Sequence, residues 1–126
     1  MASMTDYLES AVCGHVLLGV DYTSPGTVYL ALFTSPTSDA GDGTEVTGGS
    51  YARQALDLEE GGTGAAVLAS DCTFPDMPPA TLTHAAIMDA ATAGNMLLHG
   101  PLTATKVVPN GAPLTFPAGD IDATFT

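Results

Sequence analysis

The regular alternation of short apolar runs and turn residues is the feature that most constrains how this chain can fold. Runs such as TVYLALFT at residues 27–34 and TLTHAAIMDA at residues 81–90 are rich in β-branched, aromatic and small apolar residues, which is typical of strands. Gly, Pro, Asn and Asp interrupt such runs about every eight to twelve residues. The pattern predicts a mainly β fold, a single β-sandwich or jelly-roll-like domain with about eight short strands from about residue 27 onward.

One helix is expected before these strands. Asp6 is the predicted N-cap, and Glu9 follows three residues later as in a capping box. Gly19 is expected to end the helix, which gives a helix over about residues 6–18. Residues recurring at helical spacing within it are Leu8, Ala11, Val12, His15 and Val16. The 126 residues show no internal repeat and no break in composition, so we expect one domain over residues 1–126.

The charge balance restricts the possible partners. The chain has 14 acidic and two basic residues, Arg53 and Lys106, and a formal net charge of −12. Such a chain repels nucleic acids and anionic membranes, so we expect no direct binding to nucleic acid and no membrane association. A basic protein partner fits better. Charged residues make up only 13% of the chain, which indicates that partner subunits cover part of its surface.

The N-terminal segment carries no basic stretch of the kind that opens a secretory signal peptide. The longest apolar run, around residues 16–20, is far too short to cross a bilayer. We therefore expect the protein to be made in soluble form in the cytoplasm.

A catalytic arrangement is the first functional alternative. Residues 48–52 approach the G-x-S-x-G pattern around Ser50, and His84 and Asp89 could complete a triad. The last glycine of the pattern is replaced by Ala52, and a strand rather than a helix is predicted after the serine. His84 and Asp89 also point to opposite faces of one predicted strand. The sequence therefore predicts that the protein is not an enzyme.

Metal binding is the second alternative. Acidic residues recur three apart in a Gly-rich loop, and oxygen ligands of this kind suit calcium, although the spacing of an EF-hand is absent. The three histidines lie on different predicted elements. The residues concerned are Asp39, Asp42 and Glu45 for calcium, and His15, His84 and His99 for a transition metal. We expect no metal site and no cofactor.

The two cysteines, Cys13 and Cys72, form no C-x-x-C motif and have no histidine at zinc-ligand spacing. We expect both to be buried thiols that pack as small apolar side chains. A disulfide between them remains open, because spacing alone does not decide pairing.

The only arginine follows the longest loop without periodic structure. A guanidinium has five donors in a planar fork and can join a carboxylate to several carbonyl groups. Such a loop needs partners for its own backbone polar groups. We therefore predict that Arg53 is a structural brace for the loop, with Glu45 and Asp89 as candidate carboxylates. An ion pair between subunits is the alternative role.

The order of three motifs resembles a known family. The stretches are VYLALFTSPTSDAGDGTEVTGGSYARQAL, FPDMPPATLTHAAIMDAATAGNMLLHGPL and a terminal Gly-Asp-Ile strand. They resemble small tailed-bacteriophage virion proteins labelled as tail fibre or head-decoration proteins, over about residues 6–125. The matching residues are Leu32, Thr34, Pro36, Thr37, Glu45, Val46, Gly48, Tyr51, Arg53, Thr83, His84, Ile87, Asp89, Ala90, Gly94, Asn95 and Leu97. The sequence departs from the pattern at residues 78–80, where an aromatic-Gly pair is expected.

This resemblance implies a non-enzymatic building block of the virion. The function expected first is capsid decoration, in which the protein binds and stabilises the lattice of the major capsid protein. By analogy with small β-sandwich decoration proteins, a homotrimer is expected. The alternative is a tail, fibre or baseplate component involved in host attachment. A non-viral enzyme or a carbohydrate-binding module is a further alternative, although the chain has no Trp for sugar stacking.

Overall fold

The computed structural model describes residues 3–125 and confirms a mainly β fold with one helix. Within those residues there are ten strands, and all their pairings are antiparallel. In chain order the elements are β1 (Ser3–Met4), α1 (Asp6–Leu17), β2 (Tyr29–Phe33), β3 (Gln54–Ala55), β4 (Leu58–Glu60), β5 (Ala65–Leu68), β6 (Cys72–Phe74), β7 (Ala80–Met88), β8 (Met96–Val108), β9 (Leu114–Phe116) and β10 (Asp122–Thr124).

The largest sheet has five strands in the order β1-β8-β7-β2-β3. At its centre, Leu32 of β2 pairs with Ala85 of β7, and Ala85 pairs in turn with Gly100 of β8. Four of the five residues of β2 are buried, so the strand is covered on both faces of the sheet. This explains why β2 is a continuous apolar run rather than an alternating one.

One face of this sheet shares a core with two smaller sheets, which have the orders β10-β5-β4 and β6-β9. Phe74 of β6 and Phe116 of β9 meet edge to face, with 6.2 Å between ring centroids. They belong to the same buried cluster as Leu30 and Leu82 of the large sheet. The small sheets therefore form a second layer on the large one, which is a sandwich-like arrangement.

The opposite face carries a smaller apolar cluster that includes Phe33, Met88 and Met96. The β2–β3 loop (residues 34–53) packs on this cluster. At Gly43, which has φ +141°, an added Cβ would lie 2.9 Å from the ring of Phe33. Both the backbone angle and the close approach require glycine there. The loop thus takes the place of a third layer.

The helix spans Asp6–Leu17, close to the predicted residues 6–18, but its N-cap differs from the prediction. Its N-cap is Thr5, and the Thr5 hydroxyl accepts a hydrogen bond from the Leu8 amide at 3.3 Å. The same hydroxyl donates to the carbonyl of Met96 at 2.6 Å. Asp6, the predicted N-cap, is instead the first helical residue. Thr5 is the better cap because it is buried and connects the helix to β8 as well as capping it.

The strands also differ in number and position from the prediction. Strand β1 precedes the helix, whereas strands were expected only from about residue 27. The strand predicted after Ser50 is divided into β3 and β4. Strands of two or three residues are too short for alternation or propensity to be recognised. They form because an adjacent strand offers free backbone groups, which only the folded chain reveals.

The two cysteines are both free thiols, but their environments differ. Cys72 is buried as expected, and burial raises the pKa of its thiol. Cys13 is exposed on the helix, which corrects the prediction that both are buried.

Among residues 3–125, no helix is long and apolar enough to span a bilayer.

The Thr5 cap leads to a first prediction. Replacing Thr5 with Val keeps the shape of the side chain but removes the hydroxyl, so a helix cap is lost and the Met96 carbonyl loses a partner. We expect Thr5→Val to lower the free energy of unfolding by about 1–3 kcal/mol. Urea denaturation measures this, with Thr23→Val at an exposed threonine as the matched control. Equal stabilities of the two variants would contradict the role of Thr5.

Candidate functional site

The predicted site residues lie where the β2–β3 loop returns along the large sheet. Strand β3 pairs only with Tyr29 and Leu30 of β2, so the rest of that edge is open to other partners. The loop occupies it: the Val46 amide donates to the Leu32 carbonyl at 2.9 Å, and Glu45 forms a bridge with Phe33. The loop therefore extends the sheet edge without being a regular strand.

Arg53 connects this returning segment to a second part of the chain. Its Nε donates to Oε2 of Glu45 at 2.9 Å, and its Nη2 donates to Oε1 at 2.8 Å. Its Nη1 donates to the carbonyls of Ala90 and Ala93, at 2.9 and 2.7 Å. Both carbonyls belong to the β7–β8 turn (residues 89–95). One guanidinium thus joins the loop to the turn, and its side chain is only 10% exposed.

Asp89, the second predicted carboxylate, does not hydrogen-bond to Arg53, which corrects that part of the prediction. Its carboxylate accepts hydrogen bonds from the backbone amide of Asn95 at 2.7 Å and from the Asn95 side chain at 3.0 Å. Ala93 and Gly94 between them both have positive φ. Asp89 closes the β7–β8 turn and so helps to present the two carbonyls that Arg53 binds.

Sequence reasoning missed Tyr51, which forms one hydrogen-bonded cluster with Glu45 and Arg53. Its hydroxyl donates to Oε2 of Glu45 at 2.7 Å and accepts from the Leu32 amide at 3.0 Å. Its ring lies nearly parallel to that of Phe74, which joins the cluster to the core. A signal was present, because Tyr51 and Arg53 are two residues apart, and residues at that spacing lie on one face of a strand.

The electrostatics of the cluster favour the charged pair. Burial by itself raises the pKa of Glu45, but hydrogen bonds from Arg53 and Tyr51 outweigh it and hold that pKa below its ordinary value. The hydrogen bond to Glu45 raises the pKa of Arg53. Burial, reinforced by the bond to Glu45, raises the pKa of Tyr51, so its hydroxyl remains a donor.

A second contact holds the same loop at its other end. His99 of β8 is buried, its Nδ1 lies 2.7 Å from the Thr37 hydroxyl, and its Nε2 lies 2.8 Å from a carboxylate oxygen of Asp39. The Asp39 carbonyl also accepts from the Asp6 amide at 2.8 Å, which connects the loop to the helix. Sequence reasoning did not find this contact, because about sixty residues separate His99 from the loop.

The hypothetical triad residues have separate partners. Nδ1 of His84 lies 2.9 Å from the Thr83 hydroxyl, and Asp89 binds Asn95. Thr37, His99 and Asp39 present a hydroxyl, an imidazole and a carboxylate in the order of a hydrolase triad. Their hydrogen bonds attach the β2–β3 loop to β8. A shallow recess beside Arg53 is lined by the β2–β3 loop and the β7–β8 turn. The Arg53 guanidinium donates its hydrogen bonds to Glu45 and to backbone carbonyls of that turn. The arrangement is suited to holding the chain together.

The hypothetical metal ligands are dispersed in the same way. Asp39 contacts His99, Asp42 accepts from Ser38, and Glu45 pairs with Arg53. His15 is exposed on the helix and accepts from the Tyr22 amide at 3.3 Å. Within residues 3–125, no group of three or more His, Cys, Asp or Glu side chains is arranged to hold a metal ion.

The role of Arg53 as a brace leads to a second prediction. Arg53→Ala leaves Glu45 and two carbonyls without their shared donor, and Arg53→Lys cannot reproduce the planar fork. We expect Arg53→Ala to lower the free energy of unfolding by about 2–4 kcal/mol, and Arg53→Lys to lose most of the same stability. Denaturant unfolding measures both, with Lys106→Ala as the control because Lys106 is the only other basic residue. Unchanged stability in Arg53→Ala would exclude the brace.

The lowered pKa of Glu45 leads to a third prediction. Because this pKa is lower in the folded chain than its ordinary value of 4.5, the stabilisation it gives is fully present above about pH 4.5. It is lost as the pH falls through the folded-state pKa. We expect the difference in unfolding free energy between the wild type and Glu45→Gln to shrink as the pH falls below that value. Urea titrations at several pH values measure it, and a constant difference would contradict the paired state.

Comparison with known proteins places the chain among phage proteins. A family model described as "Podophage GP4 fiber I protein gp80" matches residues 3–124. A search of the curated proteins found no match. The matched region contains every strand of the described fold, together with the helix, Arg53 and Glu45. The family match also confirms the resemblance to small phage virion proteins. The chain therefore belongs to the podophage GP4 fiber I protein gp80 family.

Proposed function

We propose that the protein is a structural subunit of a fibre on a tailed-phage particle. The observation that carries this proposal is the family match over residues 3–124, since the family is described as a fiber protein. A role as a structural component of the virion follows from the family. The position of the protein on the particle is the more specific part of the proposal. The family description favours a place in the fibre over capsid decoration.

The contacts of the chain support a passive, load-resisting role. A fibre subunit must keep its shape while other subunits pull on it, so its loops need firm attachment. The longest loop is held near one end by His99 and near the other by Arg53. The polar groups at both points bind one another rather than facing an open cleft. We propose on this basis that the protein is not an enzyme.

The net charge of −12 supports a basic partner surface on the virion. This charge is equally compatible with a fibre neighbour and with a capsid lattice. The proposal therefore includes contact with at least one other virion protein, and self-association into an oligomer, while the family description favours the fibre.

The fourth prediction tests the position on the particle. An antibody against the purified protein, detected with gold on purified phage, should mark fibres and leave most of the head surface unlabelled. Quantitative mass spectrometry of the same particles should give a copy number far below that of the major capsid protein. Gold spread evenly over the head, with a copy number that matches the lattice, would instead support capsid decoration with the major capsid protein as partner.

A further inference from the structure

The helix α1 is attached to the sheet by very little buried surface. Of its twelve residues, only Leu8 and Gly14 are buried. Isolated helices of this length are marginal in water, and most helical stability comes from packing of an apolar face. A helix with apolar residues on more than one side is normally covered on more than one side. The contact with β8 and β1 covers only one side of α1.

The uncovered apolar residues are concentrated at the end of the helix. Val16, Leu17, Leu18 and Val20 are 68%, 74%, 72% and 60% exposed. Val12, one turn earlier, is also exposed. Single exposed apolar residues are ordinary, but a contiguous group of large ones marks an interaction surface. We call these five residues the helix-end patch.

The helix-end patch is held in a fixed shape. The amides of Leu18 and Val20 both donate to the Gly14 carbonyl, at 3.1 and 2.9 Å. This return is possible because Gly19 adopts φ +71°. The Tyr22 amide then donates to Nδ1 of His15, which fixes the next residues against the helix. A surface that is ordered before binding loses less entropy when a partner covers it.

The charges around the helix-end patch are acidic. Glu9 precedes Val12 on the same side of the helix, and Asp21 directly follows Val20; both are exposed. Over residues 6–22 there is no Lys or Arg, and the whole chain has two against fourteen acidic residues. Two copies of this surface would bring like charges together. A partner with Lys or Arg around an apolar recess would be attracted and correctly oriented.

We propose that the helix-end patch docks into an apolar recess, rimmed by Lys or Arg, on a different protein of the virion. This inference rests on the proposed function, because it assumes that the protein is a virion component. It adds the surface that makes the contact and the chemistry of the partner that receives it. The rest of the chain, held by Arg53 and His99, remains free for other contacts in the fibre.

The first test uses phage whose gene encodes Leu17→Ser/Leu18→Ser. Both side chains are exposed, so the variant protein should fold with an unchanged melting temperature. We expect its copy number in purified particles, measured by mass spectrometry, to fall at least about tenfold, as for loss of central interface residues. Val107→Ser is the matched control, because Val107 is 77% exposed but lies on β8 outside the patch. Normal copy number in the double variant, or equal losses in both variants, would overturn the proposal.

The second test concerns charge. Glu9→Gln/Asp21→Asn should reduce incorporation by a smaller factor, about threefold, because rim charges act mainly on the rate of association. Unchanged or increased incorporation would exclude a cationic rim. Absence of the wild-type protein from purified particles would instead refute the proposed function, so the two failures are distinguishable.

Self-association through the same surface is the competing outcome. Light scattering of the purified protein determines the mass of the wild type and of Leu17→Ser/Leu18→Ser. The proposal predicts the same mass for both, because the partner is a different protein. A larger wild-type assembly that this variant dissociates would show that a second copy covers the patch, and it would overturn the proposal.

Discussion

The bidentate pair between Arg53 and Glu45 fixes the return of the β2–β3 loop along the open edge of β2. Without it, the backbone groups of residues 44–46 would have to hold the edge alone, since β3 ends its pairing at Leu30. The same guanidinium reaches the β7–β8 turn, so two segments about forty residues apart depend on one side chain. This concentration of contacts explains why the only arginine of an acidic chain lies at the end of its longest loop.

Both faces of the large sheet are covered, and one of them depends on this arrangement. The smaller sheets cover one face, and the β2–β3 loop covers the other, where Phe33 and Met96 would otherwise meet water. His99 holds the loop near its start and Arg53 holds its end. A loop attached at both points can serve as a layer of the fold. The helix, by contrast, is attached lightly and leaves its apolar end uncovered, which suits an element that a neighbouring protein completes.

The sequence was sufficient to predict the fold class, the helix and the Arg53–Glu45 contact, because each has a local signature in periodicity or in a rare residue type. It was insufficient for Asp89, whose carboxylate closes a turn, and for Thr5, whose capping role depends on β8. The His99 contact was also inaccessible, since it joins distant residues of ordinary composition. Sequence patterns did not identify these contacts, because their partners are brought together only by the tertiary structure.

Amide hydrogen exchange tests directly whether the Arg53–Glu45 pair holds the β2–β3 loop on the edge of β2. In the wild type, the Val46 and Leu32 amides, held by the Leu32 carbonyl and the Tyr51 hydroxyl, should exchange slowly. In Arg53→Gln, we expect both amides to exchange much faster, while the exchange of the Ala85 amide in the centre of the sheet changes only as far as global stability changes. Equal protection of the Val46 amide in the two proteins would show that the loop stays on the sheet edge without Arg53, and would exclude the bracing role of this residue.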